Sequence, residues 1–464
     1  MKSFWLEVKS TCKSFKFLAF ILVLLCLQIV LITQFQKSAE SSAYYDLQGH
    51  LTYSRTSAGM ERFWQENYDY IQEHGEPKPH YPYNQETIES NLAWYKYERD
   101  LGNKILQAFE SEDWPTYTRH MAEKRLLEWN IRGALVDPRN PYMPFSTPED
   151  YFGQDWSTYS QLANMREVDQ LPIYVGERLR STGSPEHIIF STTAYLQLLQ
   201  EDLPPQTQHS TSPWGFLFNF LRQGLPRVLG IIVLLMTVNL VHQDKKYGAI
   251  KVNLLNPKGR GHYLLRKTSV GFVASLFTVA LPQLAIFLYH GLGQGFRGLN
   301  LPVLMENNLW QWVYGSEHIR LIRWTPWFTS VGLSEYAPSY SGWHAIERLE
   351  TVPLWQFLLL ASALLLLFIL FCTALGIFIS TLVKSEVFAQ VTAVGVFVLG
   401  TSFASIFPEH RTGPWDLFAK ADVIPILEGN SFTTYLTSLV VLALATVILL
   451  LLSMLVFRRQ DIAN

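Results

Sequence analysis

Long apolar blocks lie toward both ends of this chain, and a polar stretch from about residue 37 to residue 212 separates the first block from the others. A helix needs roughly 20 apolar residues to cross the hydrocarbon core of a bilayer. The pattern therefore predicts an all-α integral membrane protein with six transmembrane helices. The predicted spans are Phe17–Phe35, Pro226–His242, Ser269–Tyr289, Leu354–Val383, Val387–Phe407 and Phe432–Phe457. The first is longer than the ~7–15 residues of a signal-peptide core, so we expect an uncleaved anchor.

The distribution of Lys and Arg predicts the orientation of the spans. Basic residues cluster in segments 1–16 and 243–268, at Lys384, and at Arg458–Arg459, and these are all on one side if there are six spans. Cytoplasmic segments of membrane proteins are enriched in Lys and Arg. We therefore expect both termini in the cytoplasm, with an N-terminal tail at 1–16. Segment 213–290 then holds the second and third spans, joined by a cytoplasmic loop at 243–268.

Two larger segments then face outward, 36–212 and 291–353. Mixed polar and apolar spacing in segment 36–212 predicts a mainly helical extracellular domain. Segment 354–464 contains the last three predicted spans and a cytoplasmic tail. The segment 36–212 contains no cysteine and no glycosylation sequon, which fits a bacterial cell surface. Segment 291–353 is rich in tryptophan, as expected either for an interfacial aromatic belt or for a surface that binds an amphipathic substrate. The helices predicted in the first segment are Ser57–Glu73, Gln85–Phe109, Trp114–Arg132 and one near Pro185–Leu199.

No pattern of an enzyme site appears in the sequence. It lacks a G-x-x-x-x-G-K-[ST] phosphate loop, a G-x-S-x-G elbow and an H-E-x-x-H metal motif. His344 and Glu347 lie one helical turn apart, but without a second pair they are more typical of a surface contact than of a metal site. We therefore expect no catalytic, cofactor or metal site on this chain and no nucleic-acid partner.

The loop 243–268 carries the most specific pattern. Its acidic and basic residues Asp244-Lys245-Lys246 precede Gly248-Ala249, a short amphipathic stretch Ile250–Leu255, then Pro257 and a basic return to Lys267. A basic loop lying on anionic headgroups would explain the charge. It would not explain the ordered spacing of glycine, apolar residues and proline.

In this loop the sequence resembles the permeases of type-2 ABC exporters. Two further segments add to the resemblance: Leu375–Ser385, which joins the fourth and fifth predicted spans, and Phe457–Ile462 at the chain end. The resemblance covers about half the chain, mainly 226–290 and 354–464. Within that family, large outer insertions mark subgroups.

The resemblance implies a transport subunit without its own ATPase site, in the bacterial cytoplasmic membrane. ATP and Mg²⁺ would be bound by a separate ABC ATP-binding subunit docked under the loop, and two permease chains, the same or related, would form the path. The substrate could be a peptide, an antimicrobial, a lipid-like molecule or an ion. The coupling residues it implies are Asp244, Lys245, Tyr247, Gly248, Ile250 and Leu254.

Two further interpretations of the sequence remain open. In the tail 1–16, Phe4, Trp5 and Val8 have helical spacing, which fits an interfacial helix touching the same ATP-binding partner or a plain membrane anchor. The alternative function is a membrane sensor whose domain 36–212 binds a ligand and whose inner loop signals. A sensor would need no ATP-binding partner.

Overall fold

The structure is a computed structural model that describes residues 2–135, 194–205, 210–246, 259–313, 329–336, 349–406 and 415–459, apart from single positions or pairs at 82, 196, 200, 211, 223–224, 332, 430 and 432. The described chain is mostly helical, as the sequence predicts. Five stretches are long and apolar enough to cross a membrane: Phe15–His74, Pro226–Asp244, Arg260–Gln294, Leu354–Leu382 and Tyr435–Arg459. The predicted fifth span corresponds to a helix at Glu386–Ile406, whose apolar part, Glu386–Thr401, is shorter than these five stretches.

The chain begins with a short helix α1 (Lys2–Cys12) and then a 60-residue helix α2 (Phe15–His74). Ser14 separates them, because its side chain accepts a hydrogen bond from the Phe17 amide and caps α2. Gly75 ends α2 in the left-handed conformation, at φ 76°. At 1.5 Å per residue α2 is about 90 Å long. The predicted first span and the predicted helix Ser57–Glu73 are thus parts of one helix that runs through the predicted domain boundary at residue 35.

Helices α3 (Gln85–Glu110) and α4 (Trp114–Leu135) pack beside the far half of α2. The Asn84 side chain caps α3 by accepting from the Thr87 amide at 2.8 Å. Ile105 and Met121 are buried in an aromatic-rich core between α3 and α4. These helices begin where the sequence predicts. The predicted helix near Pro185–Leu199 lies largely outside the described residues.

The second predicted span is broken. It comprises α6 (Leu225–Thr237) and α7 (Leu240–Lys246), with a turn at Val238–Asn239. A short helix α5 (Pro213–Arg222) precedes them and has most of its residues buried. The sequence favours an interfacial position for the apolar stretch 214–221. The Phe218 ring centroid lies 5.3 Å from that of the Phe357 ring, so α5 lies against the fourth predicted span.

The remaining helices form the rest of the apolar bundle. Their core includes Phe357, Phe368 and Leu442, which are fully buried. Helix α9 (Leu354–Leu382) lies against both α6 and α12 (Tyr435–Arg459). At Gly376 in α9 an added Cβ would clash with the Thr237 hydroxyl, so only glycine permits this approach of α6. These helices are α8 (Gly259–Gln294), α9 (Leu354–Leu382), α10 (Glu386–Ile406), α11 (Val423–Leu427) and α12 (Tyr435–Arg459), with a 3₁₀ turn at Phe418–Ala421.

Two short antiparallel ribbons add β-structure to the predicted all-α fold. Strand β1 (Pro302–Glu306) pairs with β4 (Leu349–Pro353), and β2 (Thr329–Val331) pairs with β3 (Ser334–Tyr336). Both ribbons lie in the segment 291–353. Its tryptophans Trp310 and Trp312 are exposed, and the other three lie outside the described residues.

Candidate functional site

The two ends of the loop 243–268 meet in a cluster of charged side chains. The Asp244 carboxylate at the end of α7 lies 2.8 Å from Lys267 Nζ, in the first turns of α8. The same carboxylate accepts a hydrogen bond from the Tyr263 hydroxyl at 2.8 Å. Entry and exit of the loop are therefore joined directly, although residues 247–258 lie outside the described part of the chain.

The N-terminal helix α1 completes this cluster. The Glu7 carboxylate contacts Lys267 Nζ and pairs with Arg266 at 2.7 Å. Val8 is buried, whereas Trp5 and Leu6 are exposed. We call Glu7, Asp244, Tyr263, Arg266 and Lys267 the inner cluster, after the orientation that the charges predict. Through it, α1, α7 and α8 are held by one shared set of ion pairs.

The end of the last helix reaches the same place. The Phe457 ring stacks on the Tyr263 ring with centroids 5.5 Å apart, and Arg260 donates to the carbonyl of Arg458 at 2.8 Å. A further ion pair joins the start of α2 to the start of α10. In it, Lys16 Nζ lies 3.1 Å from the Glu386 carboxylate. The loop and the chain end therefore come together at the inner cluster. Both segments carry the resemblance to type-2 ABC permeases.

Lys267 is the centre of the inner cluster. Its side chain is only 7% exposed, and it lies between two carboxylates. Removing an ammonium from water is costly unless opposite charges and hydrogen bonds replace the water. Two carboxylates supply that compensation here, so a displacement of α1 or α7 would leave Lys267 less well compensated. The arrangement makes the positions of the three helices depend on one another.

Of the predicted coupling residues, the structure places Asp244 in the cluster and Lys245 in α7. Tyr247, Gly248, Ile250 and Leu254 lie outside the described residues, as does the pair His344 and Glu347. Sequence reasoning missed Glu7 and Tyr263. One signal could have indicated Glu7: it is the only acidic residue in the basic tail 1–16.

A second group of charges lies toward the predicted outer end of the bundle. Arg222 pairs with Glu428 at 3.0 Å, with both side chains nearly buried, and Arg227 forms a two-pronged contact with Asp422. Lys420 donates to the Thr433 hydroxyl at 2.8 Å. We call Arg222, Arg227, Lys420, Asp422 and Glu428 the outer cluster.

Lys420, Asp422 and Glu428 of the outer cluster lie on a segment that dips into the bundle between α10 and α12. The Phe418 ring packs 5.8 Å from the ring of Phe371, which is 17 residues, or about 25 Å, along α9 from its first residue. Gly400 allows this depth, since an added Cβ would clash with the Phe418 ring. The two ion pairs fix the segment to α5 and α6.

Burial perturbs two groups of the outer cluster. It lowers the pKa of Lys420 from its ordinary value of 10.5 to about 8, while nearby Asp416 opposes the change. Burial also raises the pKa of Asp422, and the hydrogen bond and charge of Arg227 counteract this. Sequence reasoning assigned these residues to a loop outside the spans and did not expect them inside the bundle.

Comparison with known proteins agrees with this architecture. A family model described as "ABC-2 family transporter protein" matches residues 1–462. The chain belongs to this family and is a multi-pass membrane permease subunit of an ABC transporter. Members of this family have no ATPase site of their own, and the family implies a partner subunit that binds ATP. No curated protein and no solved structure matches this chain significantly.

Proposed function

We propose that this chain is the permease half of an ATP-driven exporter in a bacterial cytoplasmic membrane. In this proposal the ATP-binding subunit docks on the loop 247–258 and binds ATP and Mg²⁺. The substrate is a peptide, an antimicrobial, a lipid-like molecule or an ion, and it crosses between two permease chains. The inner cluster carries the proposal, because it connects both ends of the docking loop to α1 and α8.

The inner cluster suggests how motion would pass into the membrane. A force on the loop reaches Asp244 and Lys267 at once, since both are anchored at its ends and paired with each other. Glu7 transfers the displacement to α1, and α1 precedes the long helix α2. ATP binding in the partner would then favour one arrangement of these helices, and hydrolysis the other.

The test is co-purification of the ATP-binding subunit with variants of the loop. Gly248→Pro and Ile250→Asp should abolish binding of the partner while the permease still inserts, because they change the amphipathic stretch that the sequence predicts after Gly248 in the loop. Arg227→Gln, at the opposite end of the bundle, is the matched control and should keep the partner bound. If the wild-type chain purifies without any ATP-binding subunit in several mild detergents, the exporter proposal fails.

One observation favours the alternative, a membrane sensor. Helix α2 is continuous from the base of the first span to the packed helices α3 and α4, so a change outside could reach the start of α2 at Phe15 without a hinge. A sensor would respond to a ligand of the segment 36–212 in the absence of ATP. An exporter would need ATP for every conformational change at α1.

A further inference from the structure

A groove opens on the side of the bundle between α5, α8 and α9. It encloses about 620 Å³ and has an almost entirely apolar lining. Trp214 and Trp355 lie at one end, and Val279, Leu365 and Leu366 lie at the other. Leu359 and Leu366 on its α9 side are 61% and 44% exposed, so the groove is open on the face that the bundle presents to its surroundings. In a multi-pass membrane protein, the surroundings of such a face are lipid.

Gln283 is, with Ser362, one of the polar residues in this apolar lining. Its side chain is more than nine-tenths buried, and neither Oε1 nor Nε2 has a hydrogen-bond partner among the described residues. A buried amide without partners is costly, and the hydrocarbon region offers no water to replace them. A ligand in the groove that carried a hydrogen-bond acceptor would remove part of this cost.

The depth of Gln283 identifies the polar group that it can reach. It lies 16 residues beyond Lys267, or about 24 Å along α8 from the inner cluster. With Lys267 placed at the cytoplasmic boundary of the hydrocarbon core, which is about 30 Å thick, the amide would lie about 6 Å inside the far boundary. Trp214 and Trp355 lie further toward that boundary, where tryptophan rings prefer to sit. Ester carbonyls of glycerolipids occupy this boundary, and their acyl chains extend inward from it.

The length of the groove fits one acyl chain in the same leaflet. Its α9 side runs from Trp355 to Leu366, which is 11 residues or about 16 Å. That is close to half of the ~30 Å hydrocarbon thickness. We propose that the groove binds one acyl chain of an outer-leaflet glycerolipid, and that Gln283 Nε2 donates a hydrogen bond to the ester carbonyl of that chain. This site depends on the predicted orientation of the spans but not on the ATP-binding partner.

The proposal predicts discrimination between ester and ether lipids. The purified full-length chain is placed in nanodiscs of diether phosphatidylcholine with a trace of diacyl phosphatidylglycerol that bears a photoactivatable diazirine on its acyl chain. Labelled peptides are then located by mass spectrometry. We expect labelling of 279–283 and 355–366 to exceed that of the exposed face of α12 at Leu444 and Leu451. Unlabelled diester phosphatidylglycerol should compete about five-fold better than the diether analogue, the effect expected of one hydrogen bond.

Two variants separate the amide contact from the groove itself. Gln283→Leu should make diester and diether lipids equal competitors. Ala363→Trp fills the groove and should lower its labelling several-fold, whereas Leu451→Trp on α12 is the matched control and should leave it unchanged. The proposal is overturned if Gln283→Leu keeps the ester preference, or if the groove is labelled no more than α12. It is also overturned if a photoreactive residue at position 359 cross-links to a second copy of the chain, because the groove would then be a subunit interface.

Discussion

The inner and outer clusters bury similar charges but compensate them differently. At the inner cluster, Lys267 lies between two carboxylates and draws three helices together. At the outer cluster, Arg222 and Arg227 each have an acidic partner, but Lys420 forms no ion pair with a described residue and its pKa falls to about 8. The comparison indicates that ion pairs stabilise the junction of three helices at the inner cluster. At the outer cluster, ion pairs fix a short segment to α5 and α6, and Lys420 remains poorly compensated.

The largest expected effect is at Lys267. Lys267→Met leaves Glu7 and Asp244 without their shared cation in a poorly hydrated place, which costs about 3–5 kcal/mol for a buried pair. We expect a clearly lower thermal midpoint in detergent and reduced ATPase activity of the complex. Lys267→Arg, which keeps the charge, should recover most of the stability. Equal midpoints for Lys267→Met and the wild type would refute the central role given to this residue.

The buried pair Arg222–Glu428 should behave differently in single and double variants. Arg222→Met alone leaves the Glu428 carboxylate buried and should destabilise the protein by several kcal/mol. The double variant Arg222→Met/Glu428→Leu should recover much of that loss, because apolar residues of similar size often replace a buried pair without penalty. Midpoints of the four proteins in this cycle provide the measurement. Strict additivity of the two single effects would mean that the pair is not coupled.

Lys420→Met should stabilise the protein, and the gain should depend on pH. The folded state binds the Lys420 proton with a pKa of about 8, below the ordinary 10.5. Below about pH 8 the full cost of the buried charge is present, roughly 3 kcal/mol at 1.36 kcal/mol per pKa unit. Between pH 8 and 10.5 only the unfolded state keeps the proton, so wild-type stability rises with pH.

The midpoint of Lys420→Met should therefore exceed that of the wild type most at pH 7, and the difference should shrink toward pH 10. The lost hydrogen bond to Thr433 reduces the gain, and Thr433→Val in the wild-type background measures that loss. A difference that stays constant from pH 7 to pH 10 would contradict the depressed pKa.

The smallest expected effect is at the pair Lys16–Glu386. Its side chains are 48% and 37% exposed, so water and salt screen the attraction. Lys16→Gln should change stability by less than about 1 kcal/mol, the usual range of exposed pairs. A loss as large as that of Lys267→Met would show that exposure does not distinguish the pairs of this molecule.

Local signals in the sequence predict much of the fold. The starts of α3 and α4 follow from Asn84 and from Trp114-Pro115, and apolar runs predict most of the long helices. The continuity of α2 was missed, because its polar second half does not resemble a span although nothing stops the helix before Gly75. The break at Val238–Asn239 was missed because an apolar run hides it.

The sequence likewise predicts part of the inner cluster but not the outer cluster. Asp244 could be predicted because it lies beside a recognisable loop, and its partner Lys267 closes that loop. The pair Arg222–Glu428 joins residues 206 positions apart, and only packing of the segment after α10 into the bundle brings them together. No local pattern in the sequence reports such a long-range contact.

The most direct test of the account is hydrogen exchange of the complex with its ATP-binding subunit, with and without ATP. We predict that ATP changes amide protection in the loop 247–258, at the base of α7 and α8, and in α1. In Glu7→Gln the change should persist in the loop but no longer reach α1, because Glu7 supplies the ion pairs that join α1 to Lys267 and Arg266. If ATP changes the loop and α1 equally in both proteins, or changes neither in the wild type, the inner cluster does not couple the partner to the membrane helices.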